Sequence, residues 1–469
     1  MLLKLPTPRP PHQPAARAPL PVSVAVRAYA VALLCLVPVA GSFGGEAAAA
    51  ESPGAANMPQ SSALHGQLTY VEQETSAFRD PYRGANSLSP NNGRETIDAT
   101  LYVGRKLWSG GEAWLNAEVD QGFGLDNTVG AAGFPSGEAY KVGKTAPYLR
   151  LSRAFVRQTV SLGGASQTVD PAQNQLGAAV TADRIVFTIG KYSVTDIFDT
   201  NQYAHDPRAD FLNWSALDAS SFDYAADAWG YTVGATAEWY TGPWTLRLGA
   251  IDLSDVPNSP HLEPGAHEFQ TILEVERRFE VAGRAGRLLL TGYDSRARMG
   301  LLDDAVRLSG STRRTVDIAA VRRFRSRTGI HASLEQQLSE ELGVFARVGG
   351  ASGNVEVYEF TDSDRNAEAG VSLKGSHWNR TGDRVGAAAI VNDISTARRR
   401  FLDAGGLGLL IGDGRLLHAG PEKILEAYYD CNVYSTVHIA LDYQRIVNPG
   451  YNRDRGPASV FAVRLHAQF

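Results

Sequence analysis

Downstream of residue 64, apolar side chains recur at every second position far more often than at helical spacing. Ile97, Ala99, Leu101 and Val103 interleave with Asp98, Thr100, Tyr102 and Gly104. Tyr231, Val233, Ala235, Ala237 and Trp239 interleave with Thr232, Gly234, Thr236, Glu238 and Tyr240. Phe269, Thr271, Leu273 and Val275 alternate with Gln270, Glu274 and Glu276, broken by Ile272. Val437, Ile439, Leu441 and Tyr443 alternate with His438, Ala440, Asp442 and Gln444. A period of two marks strands with one apolar and one polar face.

Each stretch runs about ten residues, whereas strands of soluble sandwiches average about five or six. The polar faces carry Glu, Asp, His and Arg, which suits a wall with lipid outside and water inside. The expectation is an all-β fold, a transmembrane antiparallel β-barrel. About seventeen segments can be marked, beginning near Leu64, Ile97, Ala113, Leu149, Ile185, Tyr231, Trp244, Phe269, Leu288, Val316, Ile330, Val344, Ala369, Val385, Leu425, Val437 and Val460. Bacterial barrels have even strand numbers, so the count is sixteen or eighteen, and a barrel of that size leaves an aqueous channel. The chain closes on Phe461, Val463, Leu465, Ala467 and Phe469 along one face. Trp108, Trp114, Trp239, Tyr240, Trp244, Tyr428 and Tyr429 fall near strand ends, where two interfacial girdles are expected.

Composition narrows the class. Forty-five Lys and Arg against 50 Asp and Glu give a net charge of -5, which argues against a nucleic-acid surface. Two cysteines exclude a disulfide scaffold and any multi-thiolate metal site. The first fifty residues read as an export signal: Arg17 and Arg27, an apolar run Ala28 to Ala40, then Ala47 to Ala50. The expected organisation is therefore a leader at 1–50, an N-terminal segment with the first strand at 51–93, and the barrel at 94–469.

No motif points to a reaction. Asp362-Ser363-Asp364 begins like a calcium loop, but Ala367 stands where the turn needs Gly and Leu373 where the bidentate acid belongs. The glycines from Gly405 to Gly414 lack the spacing of a phosphate cradle. No His pair has ligand spacing and no nucleophile elbow appears. No cofactor, metal or catalytic residue is expected.

Taking each polar face as lumenal puts carboxylates and guanidinium groups on one wall. Asp98, Glu118, Glu274 and Asp442 lie among Arg150, Arg347 and Arg464. An anion pore needs a basic lining and a cation pore an acidic ring. Mixed signs instead offer donors and acceptors to uncharged hydroxyl groups. The segment Ser193 to Trp229 lacks alternation and holds Trp214, Phe222 and Tyr224 among several Asp residues. Aromatic faces beside carboxylates there would form a constriction suited to a neutral polyol. These ten residues are the candidate pore lining; the alternative is that the charges pair together and the rings pack on themselves. Arg150, Arg153 and Arg157 cannot share a face of a regular strand, so their segment changes phase near Ser152. Arg398-Arg399-Arg400 reads as a short helix over the pore or, preferably, a patch facing lipopolysaccharide phosphates.

Particular words then suggest a family. Asn448-Pro449-Gly450-Tyr451-Asn452-Arg453-Asp454-Arg455-Gly456-Pro457, followed by Arg464-Leu465-His466-Ala467 and Phe469, resembles the end of carbohydrate-selective outer-membrane porins of the OprB type. Gly405-Gly406-Leu407-Gly408 with Ile411-Gly412-Asp413-Gly414 is similar, as is Gly190-Lys191-Tyr192 with Asp196 to Asn201. The resemblance implies long extracellular loops folded into the lumen and passive diffusion of small neutral sugars across a Gram-negative outer membrane. The partners it implies are outer-membrane lipid, lipopolysaccharide, the barrel-assembly machinery reading Phe469, and a homotrimeric or monomeric state. Competing readings are a general diffusion porin, an outer-membrane barrel enzyme acting on lipid, and a secreted carbohydrate-binding β-protein.

Overall fold

Each alternating segment pairs with its chain neighbours and the last pairs with the first, which leaves the sheet no free edge. The computed structural model describes residues 60–139 and 142–469; the leader read at 1–50 lies outside the described residues. Among the described residues the barrel has sixteen antiparallel strands. They are β1 (Ser62–Thr75), β2 (Gly93–Trp108), β3 (Gly111–Gly122), β4 (Lys144–Val169), β5 (Ala178–Tyr192) and β6 (Thr232–Thr241). Next come β7 (Trp244–Asp252), β8 (Phe269–Val281), β9 (Arg284–Met299), β10 (Arg323–Gln337) and β11 (Leu342–Ala351). The set ends with β12 (Arg365–Lys374), β13 (Arg384–Asp393), β14 (Glu422–Tyr434), β15 (Val437–Val447) and β16 (Ala458–Gln468).

The segment marked at Val316 is not a strand. It lies in the connection between β9 and β10, after a helix Leu302–Thr312 and before a short turn Ala319–Val321. Val316, Ile318 and Val321 pack on the inner apolar cluster, so their spacing imitates a strand face without a partner strand. That removes one of the seventeen and leaves sixteen.

Connections alternate in length. One end has two-residue turns such as 242–243, 282–283 and 435–436, while the other carries 193–231, 300–322 and 394–421. The phase of the walls follows the alternation. On β2, Thr96, Asp98, Thr100 and Tyr102 are buried inside while Leu101 and Val103 are exposed outside. On β15 and β16, Leu441 and Phe461 face outward and Asp442 and Arg464 inward.

The aromatic residues divide differently from expectation. Trp239 and Trp244 are exposed on the outside, whereas Trp108, also exposed, borders the cavity lined by Glu112 and Arg157. Trp114 and Tyr428 are buried inward, and Tyr240 hydrogen-bonds the lumenal Glu238. Each of the first two rings lies over a glycine of the neighbouring strand, Trp114 over Gly104 and Tyr428 over Gly386, its direct register partner. A side chain at either glycine would collide with the ring, so the pair acts as one shared position. Tyr231, read as outward, is instead buried with its hydroxyl donating to Glu118.

The outward face should tolerate charge badly. Leu441 stands between Tyr429 and Val463 on neighbouring strands. Leu441→Arg is expected to destabilise the barrel by about 2–4 kcal/mol, the cost of a midplane cation on a lipid face. Denaturant unfolding in lipid vesicles measures it.

Candidate functional site

A loop that enters a barrel brings backbone N–H and C=O groups that need partners away from bulk water. The wall supplies them. On the loop 193–231, Asp199 N donates to Glu274 at 2.8 Å and Gln202 N to Glu335 at 2.9 Å. Glu426 accepts from Leu212 N at 2.6 Å and Asn213 N at 3.1 Å, while the Asn213 amide side chain donates to Gln444 at 2.9 Å. Arginines treat the carbonyls in the same way. Arg347 donates to Ala204 O at 2.8 Å, Leu217 O at 2.9 Å and Ala216 O at 3.1 Å. Arg464 donates to Pro207 O at 2.7 Å and Asp210 O at 2.8 Å. The loop is thus fastened to β8, β10, β11, β14, β15 and β16.

Its centre is Asp199, whose Oδ1 lies 3.2 Å from Arg347 Nε and 3.3 Å from His331 Nε2. Ala219 N donates to its other oxygen at 2.6 Å, and Arg347 also pairs Glu368 at 2.7 Å. Burial alone would raise the Asp199 carboxyl, yet Arg347 and His331 hold it well below the usual carboxylate range. Asp218 nearby moves the other way, pushed up by burial and by the Asp199 charge. A second tie joins this loop to the loop 352–364. Asp223 accepts from Tyr358 N at 2.8 Å and Glu359 N at 2.9 Å, and lies 3.1 Å from Arg327 Nε.

The two aspartates that open like a calcium loop are taken by an arginine. Arg398 pairs Asp364 at 2.9 Å and approaches Asp362 at 3.5 Å. Burial pushes Asp362 up to about 6, whereas Arg398 and Arg327 overcome burial at Asp364 and draw it down to about 2. Arg398 is thereby withdrawn from the phosphate-facing patch read at Arg398-Arg399-Arg400, while Arg399 and Arg400 stay exposed. They sit on a helix Thr396–Asp403, with Arg398 buried, Arg399 on Asp393 at 2.7 Å and Arg400 on Asp303 at 2.8 Å.

The predicted lining residues divide in two. Phe222 has no exposed surface and packs on Tyr224, Tyr293 and His331, so it offers no stacking face. Trp214 stacks on Phe134 with centroids 5.4 Å apart, and Tyr224 packs on Phe360. Only their edges reach a cavity of about 60 Å³ shared with Trp229. Glu274, Arg347 and Arg464 face inward as predicted but serve as anchors of the loop, and Asp442 accepts from Gln444, a neighbour of those anchors, at 3.0 Å. The physical reason is the loop itself, whose backbone claims the wall charges before solvent can.

Asp98, Glu118 and Arg150 belong to a different wall. Register between β3 and β4 shifts beside Ser152, so Arg150, Arg153 and Arg157 all turn inward. Arg150 pairs Glu118 and Asp120, Arg153 pairs Asp196 at 2.6 Å, and Arg157 pairs Glu112 at 2.7 Å. Arg208 reaches from the loop to Asp98 and Glu138, each at 3.4 Å. The Tyr231 ring lies between Arg150 at 4.7 Å and Arg153 at 5.0 Å. These four arginines keep 11–22% of their side-chain surface open, while Arg347 and Arg327 keep none. Solvent therefore reaches the β4 wall, as it reaches Arg287 on β9 and Arg384 on β13. Arg208, Trp229 and Tyr231 were not singled out in the sequence; only the broken phase of the three β4 arginines pointed to this wall.

With that geometry in place, the comparisons decide the family. Residues 85–469 match the model of the carbohydrate-selective porin, OprB family. The chain belongs to the OprB family. Its porin barrel resembles the high-pH structure of Pseudomonas putida OprB, with a TM-score of 0.66 at 14% identity over 87% of this chain and 94% of that one. The low-pH structure of the same protein covers 87% of this chain and 93% of its own at 12% identity and a TM-score of 0.47. Pseudomonas aeruginosa OccK11 gives 9% identity and 0.44 over 87% and 96%. No curated protein matches the sequence significantly.

Arg347 is the fastening whose loss should matter most in this OprB-family chain. Arg347→Ala leaves Asp199 and Glu368 buried without their cation and is expected to cost about 3–5 kcal/mol. Unfolding in vesicles and single-channel recording check it, with lower stability and a noisier, larger conductance as the expected pair of outcomes.

Proposed function

We propose that this chain passes small neutral carbohydrates, glucose and related mono- and disaccharides, down their gradient through an outer membrane. The observation that carries the reading is the accessible wall. Arg150, Arg153, Arg157 and Arg208 each stand beside carboxylates, so the surface is rich in charge-assisted donors and acceptors yet nearly balanced in sign. Such a surface can exchange hydrogen bonds with hydroxyl groups without attracting ions of one sign. Tyr231 and Trp229 beside the guanidinium groups add apolar faces for sugar C–H groups. The family supports carbohydrate as the solute class and a channel rather than an enzyme.

In this reading the short-turn end faces the periplasm and the long loops face outside, as in bacterial barrels generally. Outward Trp239 and Trp244 meet the lipid interface, and the exposed terminal Phe469 is the residue offered to the assembly machinery. Because each of these four arginines already has a carboxylate partner, general diffusion without sugar preference is the second reading.

Liposome swelling separates the two. Mono- and disaccharides are expected to permeate faster than amino acids and polyols of matched size, and Arg150→Ala with Arg153→Ala should bring the sugar rates down toward the size-matched ones. Rates that follow size alone in the unmodified protein would establish the general porin, and no swelling with any solute would sink the open channel.

A further inference from the structure

One short-turn connection does not behave like the others. β4 runs 26 residues but pairs with β3 only as far as Gln158; beyond that it pairs with β5 alone. The β4–β5 register shifts on both sides of Gly163. Gly163 and Gly164 have φ of +113° and +85°, a backbone that glycine adopts freely. Past that point the connection 170–177 folds back over the nearby strands β1 and β3.

Its docking is specific. Gly177 and Gln60 exchange two hydrogen bonds, Gln60 N to Gly177 O at 2.9 Å and Gly177 N to Gln60 Oε1 at 3.0 Å. Gln173 donates to Gln67 of β1 at 3.0 Å, Leu176 N donates to Glu112 of β3 at 3.2 Å, and Arg157 donates to Asn174 O at 2.8 Å. Leu176 joins the inner apolar cluster.

Between this connection and the loop 193–231 lies a cavity of about 630 Å³. That is within the range of ligand pockets, roughly 300–1,000 Å³. Asp196, Ile197 and Thr200 of the loop border it on one side, and residues 175–177 of the connection on the other. Arg157 pairs Glu112 and Arg247 pairs Glu238 at 3.0 Å, while Lys106, Arg184 and Asp196 complete a lining of mixed sign. Hydroxyl groups of Thr159, Ser161, Ser166 and Thr181 line the rest. Tyr240 borders it with Arg184 stacked on its ring at 4.0 Å.

We propose that this chamber is a second carbohydrate subsite, on the exit side of the loop 193–231, with the connection 170–177 as its floor. The inference rests on the carbohydrate-channel reading above. A chamber with charges of both signs, hydroxyl-bearing side chains and an aromatic–guanidinium pair suits a polyhydroxy molecule, and its volume admits a mono- or disaccharide. A sugar leaving the loop would dwell there before passing the floor.

The test is planar-bilayer recording with maltose added from the short-turn side. The intact protein should show sugar-dependent current interruptions. The double variant Arg184→Ala with Tyr240→Ala should shorten them about five- to tenfold, the loss of a stacked contact of about 1 kcal/mol. Faster uptake of sugars than of size-matched polyols, set by the β4 wall, should persist. Ser166→Trp, which fills the chamber from an exposed position, should have the same effect without removing any hydrogen bond of the wall, and retained heat-modifiable mobility confirms that either variant is folded. Unchanged interruptions in both folded variants would overturn the chamber and leave the carbohydrate channel standing. Interruptions absent from the intact protein, with uptake still favouring sugars, would overturn the chamber likewise. Equal uptake of sugars and size-matched solutes by the intact protein would overturn the channel's selectivity and the subsite with it.

Discussion

The structure depends on one constraint: polypeptide inside a barrel must find partners for its backbone. Sheets satisfy theirs through the closed ladder, but the loop 193–231 has no ladder. Glu274, Glu335, Glu426, Arg347 and Arg464 take that role from the wall, each reaching a loop N–H or C=O. Leaving a buried amide or carbonyl unpaired costs about 1–3 kcal/mol, so a wall without these side chains would not hold the loop. The charges in turn require one another. Arg347 is tolerable without exposure because Asp199 and Glu368 face it, and Asp199 because Arg347 and His331 do.

This division makes two sides of one lumen. The side from β8 to β16 holds most of the loop's anchors, although Arg287 and Arg384 there stay partly open. The side of β3 and β4 keeps guanidinium groups open to solvent, held by Glu112, Glu118, Asp120 and Asp196. A single irregularity beside Ser152 creates that open face, because without it Arg150 and Arg153 would stand on opposite sides of the sheet.

How much of this could be read beforehand depended on range. Period-two alternation is local, and it identified the strands and which residues turn inward: Asp98, Glu118, Glu274, Asp442 and Arg464 all lie where alternation put them. The Val316 segment failed because alternation says nothing about whether a partner strand exists. What each inward residue does was beyond reach. Asp199 and Arg347 are 148 positions apart in the chain, and nothing near either one announces the other. The same holds for Trp214 and Phe134, whose stacking turned an expected sugar platform into packing. The burial of Arg398 was illegible for the same reason, since its partners Asp362 and Asp364 lie on a separate loop.

The fastening of the loop 193–231 also orders events during assembly. Asp98 and Arg153 precede it, but the partners of its backbone arrive late, from Glu274 on β8 to Arg464 on β16, so the loop is synthesised before those docking sites exist. Closing contacts over such separations is slow, because loop-closure entropy must be met first. A chain lacking its final strands would therefore carry this segment incompletely docked, with Arg464 and Glu426 not yet in place to receive it. Docking becomes a report that the circle is complete, and an unfinished chain differs from a finished one in the disposition of a segment near its middle.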